Sequence, residues 1–289
     1  MNIIGHEIIR DKLNNIVQQE KIGHAYLFTG KSGIGKKLVA FEFAKNIMCL
    51  NNKKGIACNE CEVCKTFWNN ADFRIIEPEK NIIKVEAIRA FENEVYLKPT
   101  MSSRKCFIID DADLMNESAQ NALLKILEEP PLYATIILIA SNKEKLLGTI
   151  KSRVTAINFQ SLTDVEVAQI LNGNVSDEII SFARGSVRKA LDLSDENYIS
   201  IANSLVDIFK TKNFLMINKK MDEIKNDKIL KQNISGILES ILLVLYRELK
   251  GNIIAVISMM DIINDTNNDI QKNANVDLAL DNMIVRICF

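Results

Sequence analysis

Eight consecutive residues, Gly30-Lys31-Ser32-Gly33-Ile34-Gly35-Lys36-Lys37, constrain this chain more than any other stretch. They follow an apolar run, Ala25 to Thr29, and precede a helical pattern in which Leu38, Phe41, Ala44, Ile47 and Met48 share a face. Strand, glycine-rich loop and helix in that order predict a phosphate-binding loop built from Gly30, Gly33, Gly35 and Lys36. Glycines let backbone N–H groups close around phosphate oxygens, Lys36 reaches the terminal phosphates, and the helix N-terminus adds positive potential. The last position departs from the pattern. A serine or threonine there supplies the hydroxyl that ligates Mg²⁺, whereas Lys37 has donors only and cannot coordinate a metal.

The rest of a nucleotide-type sheet follows. Phe73–Ile76 reads as a short strand, and 83–97 as a helix that stops before Lys98-Pro99. Lys105 to Asp111 is an apolar strand ending in two acids. After a phosphate loop, Asp110 is placed to hold Mg²⁺ through water and Asp111 to polarise an attacking water. Asp111 is one methylene shorter than the expected glutamate, and a base misplaced by ~1 Å can cost ~100-fold. The plainer alternative is that Asp110 orders the loop and Asp111 is solvated. Residues 118–129 form a periodic helix stopped by Pro130-Pro131. Thr135–Ala140 is a wholly apolar strand of the kind found mid-sheet, ending in Ser141-Asn142 where a γ-phosphate sensor would sit. Val154–Phe159 closes a five-stranded parallel sheet with helices on both faces and ligands at its carboxyl edge.

A cysteine-rich insert follows the loop helix: Cys49, Cys58, Cys61 and Cys64, spaced C-x8-C-x2-C-x2-C. Four thiolates in a short polar segment suit a structural zinc ion, with an iron–sulfur cluster or uncoupled thiols as alternatives. Cys106 and Cys288 lie elsewhere and read as buried small hydrophobes.

Composition narrows the partners. With 36 basic against 37 acidic residues, net charge is −1, which gives no global case for a nucleic-acid or membrane surface. No run approaches the ~20 apolar residues of a spanning helix. Glu7, Arg10 and Asp11 fall where a signal peptide would be apolar, so the cytoplasm is the expected compartment. Beyond the sheet, 160–198 reads as a small helical unit broken at Gly173 and Gly185. The segment 199–289 reads as all-helical, with apolar patterns through 229–249 and 276–287.

Together these motifs resemble the bacterial clamp-loader family of AAA+ proteins that serves DNA polymerase III. The resemblance rests on His24-Ala25-Tyr26-Leu27-Phe28, Gly30–Lys37, the four cysteines, Ile109-Asp110-Asp111-Ala112-Asp113, Asn121 through Pro130, Ser152-Arg153 and Gly185-Ser186-Val187-Arg188. A weaker match begins at Asn273. The resemblance implies an AAA+ P-loop domain at 1–159 with a zinc module at 49–64, a helical lid at 160–198 and a helical collar at 199–289. It implies a five-subunit ring with gamma/tau motor and delta subunits, acting on a sliding clamp and primer-template DNA, with no membrane partner. Arg153 would be an arginine finger acting on ATP held by a neighbouring subunit, and Arg188 the lid's sensor arginine. Where the family usually has cysteine after Ser-Arg, this chain has Val154. An isolated arginine is ordinarily a surface ion-pair partner; its place beside Ser152 at the last strand favours the finger.

Three functions are consistent with these features. One is a non-hydrolysing ring subunit, for which Lys37 and Asp111 speak. The second is an active motor ATPase, which would carry Ser or Thr and then Glu at those positions. The third is a zinc-containing nucleic-acid module, disfavoured by the neutral charge and by Glu60 and Glu62 inside the insert. ATP at Gly30–Lys36 is expected to be absent or bound without turnover.

Overall fold

The computed structural model describes residues 3–248, 253–272 and 274–288. Residue 249, the end of one apolar pattern read from the sequence, and Asn273, where the weaker match begins, lie outside them. The chain divides into two compact units, Met1–Glu166 and Val167–Phe289.

The first unit is an α/β sandwich in the order α1 (Glu7–Gln18), β1 (Ala25–Thr29), α2 (Lys36–Met48), α3 (Glu62–Lys65), β2 (Phe73–Ile76), α4 (Val85–Val95), β3 (Lys105–Ile109), α5 (Glu117–Glu128), β4 (Ala134–Ala140), α6 (Gly148–Lys151) and β5 (Thr155–Asn158). All five strands are parallel, in the order β2-β3-β4-β1-β5. Strands β1, β3 and β4 are buried along their whole length, which is why they read as unbroken apolar runs. Their side chains alternate between two cores. Tyr26, Phe28, Ile108, Ile137 and Ile139 pack with Leu13 and Val17 of α1 and with Val39, Phe43 and Ile47 of α2. Leu27, Phe107, Ile109, Ile136 and Leu138 face the other way, onto Ile88 and Phe91 of α4 and Leu123 and Leu127 of α5. The period-two alternation of a strand thus builds a helical layer on each face.

Several expected boundaries shift. The third strand ends at Ile109, so Asp110 and Asp111 stand beyond it, and Asp111 takes a left-handed conformation at φ 45°. The fifth strand begins at Thr155, so Arg153 lies in the turn before it. The cysteine insert is anchored to α1. Asn46 donates to Asn14 at 2.8 Å and accepts from the Ala57 N–H at 2.9 Å. Gly55, at φ 74°, passes so close that an added Cβ would stand 1.9 Å from the Asn14 carbonyl oxygen, so no other residue fits there without moving the backbone.

Asp72, just before β2, is wholly buried and organises residues 100–102. Its carboxylate accepts the N–H groups of Thr100 (2.8 Å), Met101 (2.7 Å) and Ser102 (2.9 Å). Burial would push its pKa up, but these donors more than offset burial and hold it below the ordinary value. Its contribution is therefore present above the unfolded-state pKa and is lost as pH falls through the lower folded value. Asp72→Ala should cost about 2–4 kcal/mol near neutrality, because three N–H groups lose their acceptor. Asp72→Asn should remove part of the stability loss below about pH 4. Denaturant unfolding at pH 7 and at acid pH checks both.

The second unit is helical: α7 (Asp164–Ile170), which starts in the first unit, then α8 (Asp177–Ala183), α9 (Val187–Ser194), α10 (Glu196–Lys210), α11 (Phe214–Asn226), α12 (Lys228–Gln232), α13 (Ile234–Glu248), α14 (Ile253–Gln271) and α15 (Val276–Cys288). The single helix expected from residue 229 breaks at Asn233 into α12 and α13. Leu205, Phe209, Ile217, Met221, Leu238, Ile241 and Met283 form one core among these helices. Side-chain caps at Ser186, Asp195, Asn213 and Asp227 start four of them. Cys106 is fully buried in β3 as expected, whereas Cys288 is only half-buried. Among the described residues, no helix is long and apolar enough to cross a membrane.

Candidate functional site

The glycine-rich loop leaves β1 at the carboxyl edge of the sheet and enters α2. Gly30 sits at φ 150° against the last strand, where an added Cβ would lie 2.7 Å from the Phe159 carbonyl oxygen. Lys36 folds back beneath the loop. It is 5% exposed, and its ammonium donates to the carbonyls of Gly30 and Lys31, each at 2.6 Å, with Ser141 Oγ at 3.5 Å. Burial lowers its pKa, opposed by the charges of Asp111, Asp113 and Asp110. The lysine expected to reach phosphate thus ties the loop to itself. A cleft of about 340 Å³ opens at the same edge, lined by Thr29, Gly30, Ser141, Asn142 and Asn158 among others.

Lys37 points to the acids. Its Nζ lies 2.5 Å from Glu77 Oε1 and 2.9 Å from Asp110 Oδ2, and 5.8 Å from the centre of the Phe41 ring. Burial would lower its pKa, but the bonds to Glu77 and Asp110 outweigh burial and raise it. The register explains the meeting. Ile76 pairs with Ile109, so the next residues, Glu77 and Asp110, emerge side by side from adjacent parallel strands. Glu77 was not among the residues read from sequence, because its nearness to Asp110 depends on β2 lying next to β3. Asp111 is half-buried, and its carboxyl pKa is raised by burial first and then by the charges of Asp110 and Asp113. Asp113 accepts the N–H groups of Ser141 (3.0 Å) and Asn142 (3.1 Å), fixing the segment expected to sense a γ-phosphate.

The four cysteines converge. Cys49 Sγ lies 3.6 Å from Cys58 Sγ and 4.0 Å from Cys61 Sγ, and all four sulfurs fall within 4.8 Å of one another. Tetrahedral ligands at about 2.3 Å from a metal stand about 3.8 Å apart, so this set fits one ion with no open position. Backbone N–H groups of Cys58 and Cys61 point at the sulfurs of Cys49 and Cys58, both at 3.3 Å. The N–H groups of Glu60 and Cys61 bring the Cys58 thiol down to about 6, while burial pushes Cys64 up to about 12.

Arg153 stands at the opposite end of the sheet from the loop. His24, just before β1, reaches the Arg153 carbonyl oxygen at 3.1 Å, whereas Phe159, just after β5, donates its N–H to Thr29 at 2.7 Å. The six residue steps from Arg153 to Phe159 span about 20 Å in extended chain. Arg153 Nη2 pairs with Glu128 Oε1 at 2.9 Å, and Nη1 donates to the Thr149 carbonyl at 3.1 Å. Glu128, the last residue of α5, lies within a motif read from the sequence, but its pairing with Arg153, 25 positions on, was not. Arg188, in the second unit near the start of α9, is largely exposed, with Asp192 3.9 Å away.

Sheet order, loop and acidic strand ends define an AAA+ domain. The family described as "DNA polymerase III, delta subunit" matches residues 5–163. The chain belongs to the DNA polymerase III clamp-loader family. Its relatives include the tau/gamma subunit of Haemophilus influenzae, 33% identical over 207 residues, covering 68% of this chain and 30% of that protein. The delta' subunit of Bacillus subtilis is 33% identical over 188 residues, covering 63% of this chain and 57% of that protein. The chain thus spans less than two thirds of the length of these relatives. A gamma subunit-related protein of Thermotoga maritima shares the fold, with a TM-score of 0.58 and 20% identity over 96% of this chain and 98% of that one. Tau/gamma and delta' relatives match at the same identity, so a choice between them falls to the site residues.

Proposed function

We propose that this chain is a delta'-type, non-hydrolysing subunit of a DNA polymerase III clamp loader. In this reading it lends Arg153 to ATP bound on a neighbouring motor subunit and so helps load the sliding clamp onto primer-template DNA. The observation that carries the reading is the separation of Arg153 from its own loop, about 20 Å along parallel strands. An arginine so placed has no use for a phosphate held at Gly30–Lys36 of the same chain, but its fork of donors suits a site presented by another. Lys37 in place of a metal-ligating hydroxyl, and Asp111 in place of glutamate, support the same choice over a motor.

The remaining assignments accompany it. Residues 160–198 act as lid and 199–289 as collar in a five-membered ring with gamma/tau and delta subunits, and Arg188 is the lid's sensor arginine. Gly30, Gly33, Gly35, Lys36, Asp110 and Asp111 are a relic of a nucleotide site. Zinc is the ion for Cys49, Cys58, Cys61 and Cys64, and the compartment is the cytoplasm. Steady-state ATP turnover of an assembly reconstituted with this chain tests the reading: replacing Arg153 lowers turnover while the assembly holds, and unchanged turnover rejects it.

A further inference from the structure

We infer that Lys37 is the resident cation of the loop: its ammonium occupies the electrostatic place of a divalent ion between Glu77 and Asp110 and closes the site to metal. This deepens the reading of a non-hydrolysing loop and rests on it. That reading needs only the missing hydroxyl. The structure adds an occupant.

Three observations converge on it. First, the register β2–β3 brings the two carboxylates out flush, and Lys37 Nζ touches both, at 2.5 and 2.9 Å. A divalent ion in a phosphate-loop site binds through the strand-end acid, with one or two carboxylates in all, and here the Lys37 ammonium takes that acid, Asp110, together with Glu77. Second, the cation is tethered. It comes from the first turn of α2, so its effective concentration at the carboxylates far exceeds that of a free ion. Third, the neighbouring charges favour a fixed cation. Glu77, Asp110, Asp111 and Asp113 gather at this edge, and the Lys36 ammonium is held by the Gly30 and Lys31 carbonyls. Phe41, one turn along α2, covers the ammonium from the helix side with its ring. Taking Lys37 away would leave Glu77 and Asp110 without the ammonium that bridges them.

The test uses Mn²⁺ alone, added to the full chain and followed through loss of the free-ion electron paramagnetic resonance signal. Wild type and Lys37→Arg should show no saturable binding at this edge. Lys37→Ala should gain one site, binding at least about tenfold more tightly than anything in wild type, since two carboxylates lose their counter-ion. The gained site should vanish in Lys37→Ala/Asp110→Asn. Saturable Mn²⁺ binding by wild type that Asp110→Asn removes would overturn the inference. So would a cooperatively melting Lys37→Ala chain that binds no Mn²⁺. Should the alanine variant fail to fold, Lys37→Met keeps the apolar stem against Phe41 and answers the same question, and the wild-type arm stands independently. A negative result here leaves an Arg153 effect on the assembly intact, and a silent Arg153 leaves these outcomes unchanged.

Discussion

In an assembly reconstituted with Arg153→Ala, ATP turnover at the neighbouring site is expected to fall by about 10³-fold, the lower end of what removal of an arginine finger costs. Total turnover should fall by that site's share, and clamp loading with it. The size follows from chemistry. A guanidinium stays charged at any working pH and offers a planar fork to the oxygens of a transferring phosphoryl group, where a lost donor is felt in the transition state. Stability should hardly change. Arg153 is 36% and Glu128 51% exposed, and surface pairs of this kind contribute about 0–1 kcal/mol. Arg153→Lys should not restore turnover, because a point charge lacks the fork. Single-turnover phosphate release, beside a thermal melt of the chain, separates the two effects. A variant whose turnover loss tracks a loss of assembly would assign Arg153 to the interface instead.

Removing the metal should have the largest effect on structure. Cys64 is buried, and Cys49 is held between α2 and the insert. The insert has little core of its own: Ala57 and the cysteines form one small cluster, and Val63 alone is buried in the core of the first unit. A four-thiolate ion would supply what so small a segment cannot draw from apolar burial. Cys64→Ser, or stripping with a strong chelator, should release one equivalent of zinc and open residues 49–64 to proteolysis and hydrogen exchange. The sheet should survive, because of the insert only Val63, with Cys61 at its edge, reaches into its two cores. Elemental analysis and limited proteolysis check this. Finding iron, or an insert equally protected without metal, would count against a structural zinc.

Much of this molecule was legible in its sequence, for physical reasons that can be traced. Strands β1, β3 and β4 were readable because a strand buried on both faces must be apolar throughout. The cysteine cluster was readable because two-residue gaps bring sulfurs together locally. What stayed hidden depended on long-range pairing. Glu77 follows Ile76 as an ordinary surface acid until β2 is known to lie beside β3, whereupon it becomes half of the Lys37 clasp. Glu128 belonged to a recognised motif, but its hold on Arg153 needed the turn after α6 folded against the end of α5. The missing hydroxyl at Lys37 was visible in one dimension, and the carboxylates it grips were not. Asn233 is itself neither glycine nor proline, so nothing in the periodicity marked the break there.

In the proposed reading, this chain serves phosphate chemistry in another subunit and performs none itself. The most direct measurement is steady-state ATP turnover by the purified chain alone, in Mg²⁺, beside Lys36→Ala. The rate should be at background in both, unchanged by the substitution. Steady turnover by the wild-type chain that Lys36→Ala abolishes would contradict it.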